Sequence, residues 1–463
     1  MSKDLQWGGR FEAAPDGALL AFGSSLEDDL VLAEFDVACS QAHVATLAAA
    51  GIIDVEIAHA LAIALAQIAD EIPSGEFAAQ ARAGSAEDVH GAIDARARSL
   101  APQAGEWLHA GRSRNDQVAT TLLLYARDRA ARGERVCKEI VRFALARAKR
   151  ALDDETVLAA TTHWQPAQPI LLAYWFGAVA EMFARAARRF ARVASDAREA
   201  CPLGSGACSG STLPLDRAVA ARELDFAEPS RNALDSVGDR DVALDLLHAV
   251  ARAAVAASRV CEEIVLWCTP AFGYATLDDA ASTGSSLMPQ KRNPDPFELV
   301  RAAASAANGA YLAALGSVTG VALSYHRDLQ ETKAQIVRGS ERGLAALEAF
   351  ATALPHVRWN AAAMAARANE GYVVATDVAD ALIERGVSAR QAHSLVGALV
   401  DTAEREKRPL RARDLTALAR SANLKGPLAA PLDALASVRA KKTLGSTNPA
   451  EISRALAELE RRL

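Results

Sequence analysis

The chain has 463 residues, of which 51% are hydrophobic, enough for a large buried core divided among two or three subdomains. Its 51 basic and 57 acidic residues nearly balance at a net charge of -6. This balance, without a basic stripe, excludes a protein that binds nucleic acid through charge. The six cysteines have no zinc-binding spacing, and the first residues lack the apolar stretch of a signal peptide. We therefore expect reduced thiols and a cytoplasmic protein.

Helical periodicity dominates the chain, whereas alternating β-branched runs are scarce. Residues 32–69 predict helices interrupted at Gly51, and residues 116–151 predict one long helix. Three later segments predict further long helices: 170–200, 237–268 and 296–324. Helices of this length are typical of an extended bundle.

An uncharged stretch covers residues 302–325, long enough to span a bilayer on length alone. Small and polar residues such as Ser305, Asn308 and Gly309 interrupt it, and large aliphatic residues are sparse. We therefore expect a helix buried on all sides within a bundle, and no membrane span.

Glycine, serine and proline concentrate between the helical segments, at 109–116, 201–215 and 281–296. After about residue 360 the predicted helices become shorter. The patterns indicate a mainly α fold, with an extended long-helix bundle and a smaller C-terminal domain after about residue 360.

The loop from Gly284 to Asp295, GSSLMPQKRNPD, carries the clearest chemical signal. Glycine and paired serines permit movement, while Lys291 and Arg292 provide positive charge and Asn293 provides an amide. Such a loop could close over a carboxylate with charge-assisted hydrogen bonds of roughly 1.5–3 kcal/mol each. The alternative is an ordinary polar connector between helices.

A second cluster, His109 to Gln117, stands just before a predicted long helix. Arg112 and Arg114 beside a helix N-terminus form a potential anion site, with Asn115 or Asp116 as the N-cap. The alternative is a capped turn in solvent.

Two further polar clusters complete the candidates. The first runs from Thr162 to Pro169 and places His163 in a turn between prolines, where a structural histidine is the alternative. The second runs from Ser324 to Lys333, directly after the uncharged stretch, where a solvated helix end is the alternative.

Together the four clusters resemble the fumarase/aspartase superfamily and, within it, the argininosuccinate lyases. GSSLMPQKRNPD is similar to the superfamily signature, and GRSRNDQ (111–117) points to the argininosuccinate lyases. Supporting motifs are WGGRF (7–11), PLGSGA (202–207), LDSVGDRD (234–241), YHRDLQETK (325–333), ATDVAD (375–380) and RQAH (390–393).

The resemblance implies three mainly helical domains, 1–110, 111–360 and 361–463. The central long-helix bundle would contribute to a twenty-helix core in a homotetramer, with each active site assembled from three subunits. It also implies reversible β-elimination of argininosuccinate to arginine and fumarate, a step of arginine biosynthesis. Neither a metal nor an organic cofactor is implied, and the partners are the small-molecule substrate and other copies of the chain, not nucleic acid or membrane.

Site roles follow residue by residue from the resemblance. Ser285 matches the base, and Lys291 with the loop backbone would stabilise its alkoxide. His163 matches the other proton-transfer residue, and Glu298 matches the carboxylate that pairs with it and raises its pKa. Substrate-binding roles fall on Ser25, Arg112, Arg114, Asn115, Thr162, Ser286, Asn293, Tyr325, Gln330 and Lys333.

Four positions depart from the family's usual residues: Asp94, Ala110, Trp164 and Pro166 replace Glu, Thr, Leu and Arg. These departures affect the expected shape of the pocket but remove no residue with an implied catalytic role.

Two alternatives stay open. Adenylosuccinate lyase is a related enzyme, although GRSRNDQ and the glutamine of MPQK argue against it. A structural protein of the lens-crystallin type is an alternative from another class, and the retained Ser285, His163, Lys291 and Glu298 argue against it.

Overall fold

The computed structural model describes residues 16–463, so the WGGRF motif lies outside the described residues. Helices dominate this range, which confirms the mainly α prediction. In chain order, its α-helices are α1 Gly17–Gly23, α2 Leu26–Asp29, α3 Ala33–Ala49, α4 Val55–Ser74, α5 Glu76–Ala83, α6 Val89–Leu100, α7 Pro102–Gly105, α8 Arg114–Asp153, α9 Leu172–Asp196, α10 Arg217–Glu223, α11 Ala233–Ser236, α12 Asp241–Trp267, α13 Asp295–Val318, α14 Gln330–Ala353, α15 Ala361–Ala368, α16 Ala375–Glu384, α17 Ala389–Arg405, α18 Ala412–Ser421, α19 Ala434–Ala440 and α20 Pro449–Glu460.

Short strands pair two by two in the described range. The strands are β1 Val157–Thr162, β2 Gln165–Leu171, β3 Ala200–Cys201, β4 Glu228–Pro229, β5 Ala275–Leu277 and β6 Val357–Trp359. β1 and β2 form an antiparallel hairpin, β3 and β4 are parallel, and β5 and β6 are antiparallel. These pairs replace parts of segments in which the sequence predicted only turns or helix ends.

The predicted helix positions are confirmed for the long segments. α3 and α4 are separated at Gly51, which has a φ of 66°, a value that L-residues with a side chain rarely adopt. Asp54 then caps α4 by accepting a hydrogen bond from the Ile57 N–H. The long helix predicted at 116–151 is α8, and the shorter helices predicted after residue 360 are α15 to α20.

The uncharged stretch differs from its prediction in two ways. α13 ends at Val318 instead of continuing to 324, because Gly320 with a φ of 78° turns the chain. The expectation of burial on all sides is wrong for the single chain, since Leu312 is 64% exposed and Leu315 is 40% exposed. Among the described residues, no helix is long and apolar enough to cross a membrane.

Two compact units make up the described chain. One comprises the described residues up to Arg135 together with Ala186–Val255 and Ala302–Leu347. Part of its core is a cluster around Cys39, Leu124, Cys201, Leu203 and Phe226.

The other unit comprises Val136–Arg185, Ala256–Arg301 and Glu348–Leu463. Part of its core is formed by apolar side chains of α16, α17 and α18, including Val378, Leu382 and Leu415. The division into domains 1–110, 111–360 and 361–463 stays a prediction. All six cysteines are free, and each is buried or half-buried.

Candidate active site

Lys333, in the first turn of α14, forms a buried ion pair in the first unit. Its Nζ lies 2.6 Å from Oδ2 of Asp29 and 3.1 Å from Oγ of Ser25. Ser25 Oγ in turn donates to the same Asp29 oxygen at 2.6 Å. Lys333 is 3% exposed and Asp29 is fully buried, so this ion pair lies away from bulk water. Oδ1 of Asp29 has no hydrogen-bond partner among the described residues. The structure therefore brings together two predicted site residues, Ser25 and Lys333.

Gln330 lies beside this group, one helical turn before Lys333. Its side-chain amide donates to the Gly23 carbonyl at 3.0 Å, and Arg327 donates to the same oxygen at 2.6 Å. The N–H of Ser25 donates to the Glu87 carbonyl at 2.8 Å. These bonds connect the segment around Ser25 to the start of α14, far away in sequence.

Arg114 pairs with Asp88 in the same unit. The distance between its Nη1 and Oδ1 of Asp88 is 2.6 Å. Burial raises the pKa of Asp88, but interactions with His90, Arg114 and Lys333 outweigh burial and hold this pKa below its usual value. Asp88 is therefore a buried anion near two cations that the sequence proposed for substrate binding, Arg114 and Lys333.

Arg112 and Asn115 occupy different environments at the start of α8. Arg112 is 6% exposed and donates to Ser40 Oγ at 2.9 Å, and its Nε has no hydrogen-bond partner among the described residues. Asn115 is half-buried, and its amide donates to the Ala207 carbonyl at 2.9 Å. The Arg112 guanidinium is thus directed into the protein, whereas Asn115 stays near the surface.

Tyr325 follows a tightly packed stretch of backbone. Ser324 has a φ of 76°, which is unfavourable for a residue with a side chain. Gly238 packs against it so closely that a Cβ at position 238 would lie 2.4 Å from the Ser324 carbonyl oxygen. Burial raises the pKa of Tyr325, while the charges of Arg240 and Arg327 oppose this increase.

In the second unit, the loop of the superfamily signature is closed at its base. Thr283 and Asn293 exchange two backbone hydrogen bonds, of 3.2 and 2.8 Å, and Thr283 Oγ1 donates to Asp295 at 2.5 Å. Arg292 donates to Asp279 at 2.6 Å, so this cation is engaged at the base of the loop. Leu287 at the tip is 84% exposed. The loop therefore has a fixed base and an exposed tip.

Ser285 accepts hydrogen bonds from the loop backbone. Its Oγ lies 3.2 Å from the Leu287 nitrogen and 3.1 Å from the Met288 nitrogen. Two N–H donors directed at a hydroxyl oxygen stabilise negative charge on it. This is the type of backbone support that the sequence predicted for an alkoxide at Ser285.

Lys291, Ser286 and Glu298 are open to solvent to different degrees. Lys291 and Ser286 are exposed, and among the described residues no hydrogen bond or ion pair engages the Lys291 ammonium. Glu298, in the first turn of α13, makes only a 4.0 Å contact with Arg301. The Lys291 ammonium is therefore available to a ligand.

His163 is at the tip of the β1–β2 hairpin. His163 and Trp164 form a two-residue turn with φ values of 53° and 60°, as in type I′ turns, and Thr162 and Gln165 pair across it. The turn predicted for His163 is confirmed. The imidazole is exposed and has no hydrogen-bond partner within residues 16–463, so its predicted pairing with Glu298 is not formed in the single chain and stays a prediction.

A cavity of about 650 Å³ lies beside this turn in the second unit. Its lining includes His163, Trp164, Trp175, Glu263 and Arg301. The Trp175 indole donates to Glu263 at 2.6 Å, and burial raises the pKa of Glu263. The exposed Trp164, one of the family departures, therefore shapes the wall next to His163.

Several polar residues around these groups were not singled out from the sequence. Asp29 and Asp88 neutralise Lys333 and Arg114, respectively. Asp29 stands four residues after Ser25, but its sequence neighbour Asp28 has the same charge and pairs elsewhere, with Arg338. No local pattern distinguishes the two aspartates. Among the described residues, no group of three or more His, Cys, Asp or Glu side chains could hold a metal ion.

Comparison with known proteins identifies the family. The lyase family pattern matches residues 9–309, and the argininosuccinate lyase C-terminal pattern matches residues 372–439. An argininosuccinate lyase of Deinococcus deserti is 41% identical over 456 residues, which cover 98% of this chain and 97% of that protein.

Solved structures agree in fold. An EDDS lyase in complex with formate superposes with a TM-score of 0.78 at 26% identity, over 93% of this chain and 86% of that chain. A class II fumarase from Schistosoma mansoni superposes with a TM-score of 0.72 at 16% identity, over 88% and 91% of the two chains. The chain therefore belongs to the argininosuccinate lyase family and is a lyase with the mainly α fold of the fumarase/aspartase superfamily.

Proposed function

We propose that this lyase cleaves argininosuccinate reversibly to L-arginine and fumarate, as a step of arginine biosynthesis. Family membership supports the substrate, and the observation that carries the chemistry is the environment of Ser285. Its Oγ accepts two backbone N–H groups, and the Lys291 ammonium nearby in the sequence has no partner among the described residues. A serine can act as a base at neutral pH only where donors of this kind stabilise its alkoxide.

The reaction begins when Ser285 removes a proton from the carbon next to a carboxylate of the succinyl group. The electron pair left on that carbon is delocalised into the carboxylate as an aci-form. The bond between the adjacent carbon and the guanidinium nitrogen then breaks, which gives fumarate, and the nitrogen receives a proton to give arginine. A well-placed proton transfer accelerates such a step by roughly 10²- to 10⁴-fold.

His163 is proposed as the other proton-transfer residue, with Glu298 as its carboxylate partner. The position of His163 at a constrained turn supports this role, because both turn residues have positive φ and fix the backbone that carries the ring. Its imidazole lacks a partner among the described residues and is free to meet a substrate.

Substrate carboxylates are proposed to bind cationic and amide groups. Four of the proposed binding residues belong to the second unit: Thr162, Ser286, Lys291 and Asn293. The positive charge of Lys291 supports a role in holding the carboxylate in its aci-form. The other proposed binding residues belong to the first unit: Ser25, Arg114, Asn115, Tyr325, Gln330 and Lys333. The contact of Lys333 with Ser25, and that of Gln330 with the nearby Gly23 carbonyl, support a common binding surface. Arg112 is proposed to support this surface from the protein interior, since its guanidinium is buried.

A homotetramer with active sites shared among subunits is proposed on the same grounds, in the cytoplasm. The apolar face of α13 supports self-association, because Leu312 is 64% exposed and Leu315 is 40% exposed on a stretch without charged residues. Sedimentation of the purified chain should give the mass of four copies. A monomer at micromolar concentration would contradict the proposed assembly.

The activity is tested by the ultraviolet absorbance of fumarate. The purified chain is given argininosuccinate or adenylosuccinate at equal concentration. Absorbance should rise with argininosuccinate and stay constant with adenylosuccinate. The reverse pattern would assign the chain to the related purine enzyme, and no change with either substrate would contradict the proposed reaction.

A further inference from the structure

Asp116 is a fully buried carboxylate with no part in the proposed reaction. Its Oδ2 accepts hydrogen bonds from the backbone N–H groups of Gly204 and Gly206, both at 2.9 Å. Its Oδ1 accepts from the Ser113 N–H at 3.0 Å. One side chain therefore links the start of α8 to residues 202–207, two segments that lie far apart in sequence but both carry motifs of the family.

The 202–207 loop depends on this anchor for its shape. Gly204 and Gly206 have φ values of 85° and 63°, and a Cβ at position 206 would lie 2.7 Å from the Gly210 carbonyl oxygen. Arg217 holds the other side of the loop by donating to the Leu203 carbonyl at 3.0 Å. The glycine N–H groups are thereby directed at Asp116, and without it they would be buried donors lacking an acceptor.

The loop in turn contacts a proposed substrate-binding residue. The Asn115 side chain donates to the carbonyl of Ala207, at the end of the loop. We propose that Asp116 is a positioning residue, which fixes the 202–207 loop through Gly204 and Gly206 and thereby orients Asn115 towards the substrate. This inference rests on the proposed function for the role of Asn115.

The ionisation of Asp116 reflects its burial. Burial raises its pKa to about 6, although the N–H groups of Gly206 and Ser113 and the charge of Arg112 oppose the increase. The other groups that interact electrostatically with it are Arg217 and the thiols of Cys39 and Cys201. Burial raises the pKa of Cys201 to about 11 and that of Cys39 well above its ordinary value.

Asp116 is therefore the member of this cluster that changes charge between about pH 5 and pH 7. Because burial raises this pKa, protonation favours the buried state of Asp116, and the loop should stay closed in acid.

The test compares Asp116→Asn with Asp70→Asn, which removes the same charge from an exposed position of α4. An Asn side chain has one acceptor oxygen instead of two, so either the loop or the Ser113 N–H loses its acceptor. Asp116→Asn should therefore raise KM for argininosuccinate about tenfold or more, with a smaller change in kcat. Asp70→Asn should keep the wild-type KM.

Hydrogen exchange supplies a readout that does not depend on activity. The amides of Gly204 and Gly206 should exchange faster in Asp116→Asn than in Asp70→Asn, and in the wild type they should stay protected between about pH 5 and pH 8 after correction for intrinsic exchange. The wild-type measurement needs no variant and holds even if Asp116→Asn does not fold. Unprotected glycine amides in the wild type, or a wild-type KM in Asp116→Asn, would overturn the inference. A wild type that releases no fumarate but shows the exchange pattern would overturn only the proposed function.

Discussion

Two lysines of the candidate site illustrate how differently single residues are held. Lys333 is buried against Asp29, whereas Lys291 is exposed in its loop. A buried cation that already has a counter-ion orients neighbours such as Ser25 as much as it attracts a substrate. An exposed cation without a described partner can instead respond to charge that develops during the reaction.

Substitution of Ser285 tests the proposed base. Ser285→Ala removes the hydroxyl while the N–H groups of Leu287 and Met288 stay in the loop, so kcat should fall by about 10²- to 10⁴-fold with substrate binding retained. Steady-state kinetics and calorimetric titration with argininosuccinate measure the two effects. Ser394→Ala, on the surface of α17, is the control and should keep the wild-type kcat. Retention of most activity by Ser285→Ala would show that another group is the base.

Substitution of Lys333 tests the buried ion pair. Lys333→Met leaves the Asp29 carboxylate buried without its counter-ion, which should lower the free energy of unfolding by roughly 3–5 kcal/mol. Adding Asp29→Asn should restore part of this loss, because the uncompensated charge disappears. Urea unfolding gives the values.

Lys442→Met, which breaks the exposed pair with Glu384, is the matched control and should leave stability nearly unchanged. An equal loss in both single variants would mean that burial does not strengthen the Lys333–Asp29 pair.

At the scale of elements, helices could be predicted from the sequence because their apolar periodicity is local. Gly51 and Gly320 also indicate where the neighbouring helices end, because glycine permits the positive φ found at both positions. The β1–β2 hairpin could not be predicted, since its turn residues, His163 and Trp164, are not ones that favour positive φ. Pairing of β1 with β2 closes this turn against the local preference of its residues. Strained turns of this kind occur most often at functional sites.

Strain in this hairpin gives a stability prediction. Trp164→Gly removes the side chain from a position with a φ of 60°, so it should raise the free energy of unfolding by about 1 kcal/mol. Trp164→Phe keeps a Cβ and should not. Thermal or urea unfolding measures the stability of the two variants. A Trp164→Gly variant less stable than Trp164→Phe would show that packing of the indole outweighs the backbone strain.

Close packing at Gly238 gives a second prediction for an element. A Cβ in Gly238→Ala would displace the Ser324 backbone, so KM for argininosuccinate should rise several-fold through Tyr325. Ser324→Gly added to this variant should partly restore KM, because glycine lets the backbone move aside. The control is Gly397→Ala in α17, where a Cβ meets no other atom within 4 Å. Equal KM values in Gly238→Ala and Gly397→Ala would exclude this positioning role.

At the scale of the whole molecule, the site could be predicted only in part from the sequence. The motifs identified Ser285, His163 and Lys333, because their sequence context is specific to the family. Asp29 was missed, since it meets Lys333 across about 300 residues and no local pattern records such a contact. The exposure of α13 in the single chain was also missed. A stretch without charged residues predicts burial, but it does not show whether the residues that cover it come from the same chain or from another copy.

The central claim is that this chain splits argininosuccinate into two defined products. The most direct measurement incubates the purified chain with argininosuccinate and quantifies arginine and fumarate by chromatography over time. Equal amounts of both should form, and both should be consumed when the reaction starts from arginine and fumarate. Absence of arginine, or fumarate without an equal amount of arginine, would contradict the account.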